Sequence, residues 1–260
     1  MSALVSNLKY KKPLDGGFDA NQFAEEIERA YLEFRKTRSD TKKTTFSPST
    51  IGYGHGNCPR YWYIAFNGAE FNEQFTAQSI ANMQNGSSAH DRLEKVIEKT
   101  NRLKWSEVEV NYSDPPIRGF VDVVLDWEGK EVIGEIKTAK EEVFLIKQAK
   151  MTPSSNHLLQ LLIYMKIRKA EHGVVIYENK NTQELCFIPI TVNSRYIQII
   201  DELFDWMRRV RKAWEDEQLP TRPFTKSKPA CKGCMHAAGI NPGGIRLFYR
   251  PVRILRVHRS

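Results

Sequence analysis

Residues 118–140, RGFVDVVLDWEGKEVIGEIKTAK, constrain this chain more than any other stretch. Two apolar, β-branched runs, 119–126 and 131–138, flank a turn at Glu128-Gly129, and this pattern predicts two antiparallel strands. Side chains alternate between the faces of a strand, so Glu135 and Lys137 share one face and Ile136 takes the other. With the turn centred on Glu128-Gly129, facing residues sum to 257, and Asp122 lies opposite Glu135. Cβ atoms of such neighbours stand about 5 Å apart, where like charges destabilise. Two facing carboxylates with a lysine beside them therefore call for a cation between them.

The chain around this hairpin has 260 residues, 41% of them hydrophobic and 27% charged. That is an ordinary globular composition, enough for one sizeable domain with elaborations or two small ones. The opening MSALVSNLKYKK has no apolar h-region, and no stretch approaches the roughly 18 apolar residues of a membrane span. The expected location is cytoplasmic, with no membrane partner. The net charge of +8 is uneven: nine Lys or Arg follow Glu217, the last acidic residue. A basic segment suits a polyanion such as nucleic acid, and equally suits a solvated tail without a partner.

Residues 18–37 place Phe23, Ile27, Tyr31 and Phe34 at helical spacing and predict an amphipathic first helix. A polar linker, 39–45, and a glycine-rich turn lead into a short aromatic helix. Gly86-Ser87-Ser88 punctuates a further helix expected over 89–103, with Ser88 and Asp91 as its capping box and Leu93, Val96, Ile97 and Leu103 as its buried stripe. Residues 105–112 alternate like a strand, 141–150 read as a polar helix, and 156–167 are apolar nearly all round, as in a buried helix. GVVIYE and ELCFIPITV form a second hairpin pattern, and 195–217 a long amphipathic helix. This order predicts an α/β (α+β) fold, a sheet flanked by helices. The expected divisions are an N-terminal helix and linker over 1–45, the main domain over 46–235 and a basic tail over 236–260.

Hard cations such as Mg2+ and Mn2+ take carboxylate oxygens and keep open positions for water and phosphate, which is the chemistry of phosphodiester hydrolysis. Lys137 is placed to orient a water or offset charge in the transition state. A solvated strand face carrying E-x-K is the plain alternative. His90 precedes Leu93 by three and Ile97 by seven, so it rides the buried stripe of its helix. A core histidine is the commoner outcome there, but the carboxylate pair needs a further ligand, and imidazole serves Mn2+ well. Gln160 and Tyr164, at i and i+4, share a face of the apolar helix. They are either satisfied core residues or a polar pair aimed at phosphate or at Lys137.

His90, then Gly119-Phe120-Val121-Asp122, then Glu135-Ile136-Lys137, then Gln160 through Tyr164, resemble in this order the RecB-like branch of the PD-(D/E)XK nuclease superfamily. The resemblance spans about residues 50–235 and implies a restriction-endonuclease-like mixed sheet. It implies a metal site of His90, Asp122, Glu135 and the Ile136 carbonyl, with Lys137 catalytic and Gln160 and Tyr164 accessory. Val121 stands where the superfamily's signature proline would be, as is usual in this branch. Cys58-Pro59-Arg60 before the core and Cys231-x2-Cys234 after it look like the CRISPR-associated RecB-like exonucleases and the AddB nuclease domain, where one early and three late cysteines hold a [4Fe–4S] cluster. Such a cluster normally takes four thiolates, and Ile240 stands near the expected last one. His55, His236 or Cys186 could substitute, though Cys186 sits in a strand pattern that suits core packing. Zinc is the other metal such cysteines take. No other strong link between the early aromatic helix and residues 220–235 is evident from sequence.

The expected activity is a Mg2+- or Mn2+-dependent DNA exonuclease acting on single-stranded ends, in recombination, repair or CRISPR spacer acquisition alongside the proteins of those pathways. Its rivals are a DNA-binding member of the fold that has lost cleavage and a zinc-ribbon-like interaction protein, which leaves the hairpin carboxylates unexplained.

Overall fold

The computed structural model describes residues 18–36, 43–68, 75–221 and 223. The chain divides into two compact units, Met1–Ser39 with Gln74–Met83, and Asp40–Glu73 with Gln84–Ser260. In the first unit, helix α1 (Ala20–Lys36) starts at Asp19, whose Oδ1 accepts from the backbone N–H groups of Asn21 and Gln22 at 3.0 Å. That carboxylate meets the donors every helix start leaves open. Phe23, Ile27 and Phe34 of its apolar stripe are exposed.

The second unit is built on a five-stranded mixed sheet in the order β1 (Leu103–Tyr112), β2 (Ile117–Trp127), β3 (Lys130–Ala139), β4 (His172–Asn179) and β5 (Leu185–Thr191). β1, β2 and β3 form an antiparallel meander, β3 and β4 run parallel, and β4 and β5 are antiparallel. Glu128 and Gly129 both take positive φ, 55° and 80°, as a two-residue turn that matches strand twist requires. The β2–β3 pairs, from Trp127–Lys130 to Val123–Gly134, sum to 257 throughout, as the sequence indicates. A parallel partner cannot follow through a tight turn. Helices α5 (Glu141–Lys150) and α6 (Ser155–Arg168) make the crossover from β3 to β4.

α6 packs against β4, β3 and β1. All six residues from Gln160 to Met165 are buried, because sheet, α2 (Pro48–Ile51) and α7 (Ser194–Glu215) approach this helix from different sides. Phe46, Trp62, Val124, Ile133, Leu161, Tyr164, Val175, Tyr177 and Phe204 belong to this main core. Fully burying one such apolar side chain is worth about 1.5–3 kcal/mol. Cys186 lies in the same core, opposite Tyr177. On the other face, Leu93 and Ile97 of helix α4 (Ala77–Glu98) cover Val123, Ile136 and Ile176. Arg168 pins the hairpin to the end of α6 by a two-pronged pair with Glu131, at 2.6 and 2.9 Å.

α4 corrects one expectation. It begins at Ala77 rather than 89, and Gly86-Ser87-Ser88 are internal to it, so there is no capping box at Ser88. A mid-helix glycine costs about 1 kcal/mol, and the buried Ala89 and Leu93 just beyond it offset that cost. Val96 is exposed and Leu103 belongs to β1, so the helix buries a narrower stripe than expected.

A second correction concerns the link between early and late segments. Arg60 of helix α3 (Pro59–Phe66) donates Nε–H to the Pro220 carbonyl at 2.6 Å, Phe66 meets Trp214 edge-on at 5.9 Å, and Arg211 Nη1 donates to the Thr44 carbonyl at 3.1 Å. These contacts join the two regions without any cysteine. Among the described residues, no helix is long and apolar enough to cross a membrane.

Candidate metal and phosphodiester site

The β2–β3 ladder stops at Val123–Gly134, and beyond it the strands part. Asp122 takes over there. Its Oδ2 accepts from the Ile136 backbone N–H at 2.7 Å, so a side chain supplies the acceptor that a paired strand would have offered. Glu135, on the central strand, is fully buried. The Lys137 ammonium is hydrogen-bonded to Glu135 Oε1, donates to the Ile136 carbonyl at 3.1 Å and stands 4.0 Å from Asp122 Oδ2. Carboxylates of the meander, a backbone carbonyl and the ammonium thus converge at one place.

His90 enters from α4, with Nδ1 3.7 Å from Asp122 Oδ2. Glu107 enters from β1. It falls between the Ser106–Val123 and Val108–Val121 pairs, across from Asp122, with φ at 48°. Ligand atoms of His90, Glu107 and Asp122 all lie within 4.8 Å of one another. Sequence reasoning missed Glu107. Strand alternation assigns it a face, but the left-handed backbone that carries it has no signature in the residue type. Of the expected metal ligands, His90 and Asp122 meet directly. Glu135 and the Ile136 carbonyl are turned to Lys137 instead.

The electrostatics describe a site with surplus negative charge. Burial raises the Glu135 carboxyl to about 8, with the Asp122 charge adding and Lys137 opposing. Burial raises Glu107 as well, reinforced by Asp122, and Glu94 likewise, reinforced by Glu107 and Asp122. Burial works against the Lys137 charge, yet Glu135 and Asp122 hold the ammonium above its ordinary range. Glu135 Oε2 and Glu94 Oε1 are buried with no hydrogen-bond partner among the described residues. The donor set is oxygen-rich with one imidazole, a set that hard divalent cations take. The Lys137 ammonium already lies among the oxygens of Glu135, Ile136 and Asp122, as a cation would. The residues therefore fit a divalent metal.

Gln160 and Tyr164 face the same place from α6. The Tyr164 hydroxyl lies against the Gln160 side chain and the Phe120 backbone, and burial with the Glu135 charge raises its pKa. Gly119 makes room for it: a Cβ there would stand 2.8 Å from the Tyr164 hydroxyl and 3.0 Å from Pro48 Cδ. His157, one turn earlier on the same helix, is a second residue the sequence did not single out. Its Nδ1 is 2.7 Å from the Tyr177 hydroxyl. Cys58 is partly buried at the start of α3, while Cys231, Cys234, His236, Ile240 and the C-terminal arginines lie outside the described residues.

Among solved structures, this fold is similar to the alkaline exonuclease LHK-Exo from Laribacter hongkongensis, with a TM-score of 0.52 and 11% identity over 74% of this chain and 95% of that one. It is also similar to LHK-Exo in complex with dAMP, at 0.51 and 14%, over 74% and 93%. No curated protein matches the sequence significantly. The PD-(D/E)XK nuclease superfamily matches over residues 71–238, a span that holds the sheet, α4 and every carboxylate of the site. With more than half of its length matched, the chain belongs to the PD-(D/E)XK nuclease superfamily.

Proposed function

We propose that this nuclease is a Mg2+- or Mn2+-dependent DNA exonuclease of the RecB-like branch, acting on single-stranded ends. The observation that carries the reading is the convergence of Asp122, Glu135 and the Ile136 carbonyl on one cation-shaped point, filled by the Lys137 ammonium. His90, Asp122, Glu135 and the Ile136 carbonyl would hold the metal, with Glu107 as an added carboxylate. A divalent ion held there supplies Lewis acidity toward water and the scissile phosphate. Lys137, released from Glu135, donates hydrogen bonds to the attacking water or to phosphate oxygens. Gln160 and Tyr164 keep the α6 side of the site polar, buried and fixed in direction. The exonuclease class is supported by the fold shared with LHK-Exo, an alkaline exonuclease, and DNA would be held through phosphate contacts with little sequence readout. Residues 46–235 are the proposed nuclease domain. The [4Fe–4S] assignment to Cys58, Cys231 and Cys234 rests on sequence. Iron analysis of anaerobically purified protein tests it, and one zinc per chain would replace it.

End-labelled single-stranded, double-stranded and circular DNA, each with Mg2+, Mn2+ or chelator, test the function. Mononucleotide release from linear DNA and none from circles is expected. Asp122→Asn, Glu135→Gln and Lys137→Ala should each lower the rate about a thousand-fold or more, with circular dichroism unchanged. Full cleavage by Lys137→Ala, or cleavage in chelator, would sink the assignment.

A further inference from the structure

His157 is built into the site more firmly than a surface histidine would be. It lies on the face of α6 that carries Gln160 and Tyr164 three and seven residues later, and it is partly buried. Strand β4 runs parallel to β3 with Tyr177 opposite Lys137, and directly paired residues project to the same face of a sheet. Tyr177 is almost fully buried, and its hydroxyl reaches two groups at the head of α6. It accepts from the Ser154 backbone N–H at 3.0 Å and lies 2.7 Å from His157 Nδ1. The Ser154 side chain also interacts with this hydroxyl.

A phenolic oxygen carries a single proton. With the Ser154 N–H donating to it, the oxygen can give that proton to His157 Nδ1, which is then the unprotonated nitrogen of a neutral ring. The remaining proton sits on Nε2. Burial, together with the charges of Lys137 and Lys147, lowers the imidazole pKa to about 4, so the ring stays neutral. Nε2 has no hydrogen-bond partner among the described residues.

We propose that His157 is a substrate-contacting residue, which Tyr177 fixes as a neutral Nε2–H donor to a non-bridging oxygen of the DNA phosphate held beside Lys137. Tyr177 is the positioning residue, acting only through His157. A neutral donor suits a site whose charge balance is already set by several carboxylates, a lysine and a metal. It adds a directed hydrogen bond without competing for the metal's ligands. The inference rests on the nuclease reading of Asp122, Glu135 and Lys137, so its test needs a readout apart from cleavage.

In protein labelled with 15N-histidine, His157 should show the Nε2–H tautomer at neutral pH, and Tyr177→Phe should convert it to a mixture. Addition of dTMP with Mg2+ should shift the Nε2 resonance of the wild type. On single-stranded DNA with Mn2+, His157→Leu should lower kcat/KM about 100-fold. His157→Gln, which keeps an N–H at similar reach, should recover to within about five-fold of the wild type. A charged or Nδ1–H ring, or a Gln variant no better than Leu, overturns the proposal. A dTMP-induced shift in a protein that cleaves nothing keeps the phosphate contact and removes the nuclease reading. Cleavage with no shift, and equal loss in both variants, leaves the nuclease and removes the contact.

Discussion

Glu107 holds a left-handed backbone at φ 48° in the middle of a strand, a conformation that costs an L residue about 1–2 kcal/mol. Strain of this kind persists where surrounding structure fixes it, often at functional sites. Glu107→Gly should relieve both the strain and the repulsion from Asp122. The expected result is an unfolding free energy that holds or rises by about 1 kcal/mol, with Mn2+ affinity at least about ten-fold weaker by calorimetric titration. A loss of stability with affinity intact would mark Glu107 as structural. The convergence of Asp122, Glu135 and Lys137 was legible because a period of two and a single turn bring the strands together there, although the expected Asp122–Glu135 pair falls just past the end of the ladder. His90 was legible from its place on a helix stripe. Glu107 and His157 were not. One depends on a backbone torsion, the other on a tyrosine that only the parallel crossover brings alongside.

At the scale of elements, the turn and register of the β2–β3 hairpin were readable, since turn and alternation are local, while the strands run one or two residues longer than expected. The start of α4 was not, because the burial that carries the helix through Gly86 comes from partners distant in sequence. Two glycines separate the consequences. Gly129→Ala meets no atom within 4 Å, so only its φ of 80° is at stake. Denaturant unfolding should show a loss of about 1 kcal/mol with activity unchanged. Gly119→Ala instead presses on the Tyr164 hydroxyl and Pro48. It should lower cleavage about ten-fold or more, because small misplacements of a positioning group are costly. Cleavage equal to wild type would show that Tyr164 can yield without consequence.

Across the whole molecule, one buried and one partly buried group set opposed dependences on pH. Glu135 is raised from 4.5 to about 8. The folded chain keeps a proton there that the unfolded chain has released, so its contribution is full below 4.5 and is lost as pH rises through about 8. His157 is lowered from 6.5 to about 4, so its contribution is present above 6.5 and is lost as pH falls through about 4. Between 4.5 and 6.5 the two oppose each other. Above 6.5 Glu135 acts alone, and the urea midpoint of the metal-free protein should fall toward pH 8. Glu135→Gln should flatten that decline, and a decline of unchanged slope would assign it to other groups.

The bond from Arg60 to the Pro220 carbonyl joins residues 160 apart in sequence, and the Phe66–Trp214 contact lies along the same α3–α7 seam. Mechanically, these contacts and the Arg211–Thr44 bond act as buckles between the early and late segments. A load applied between residues 43 and 221 is therefore shared between this seam and the bridge from Phe46 to Ile117, where β2, the strand of Asp122, begins.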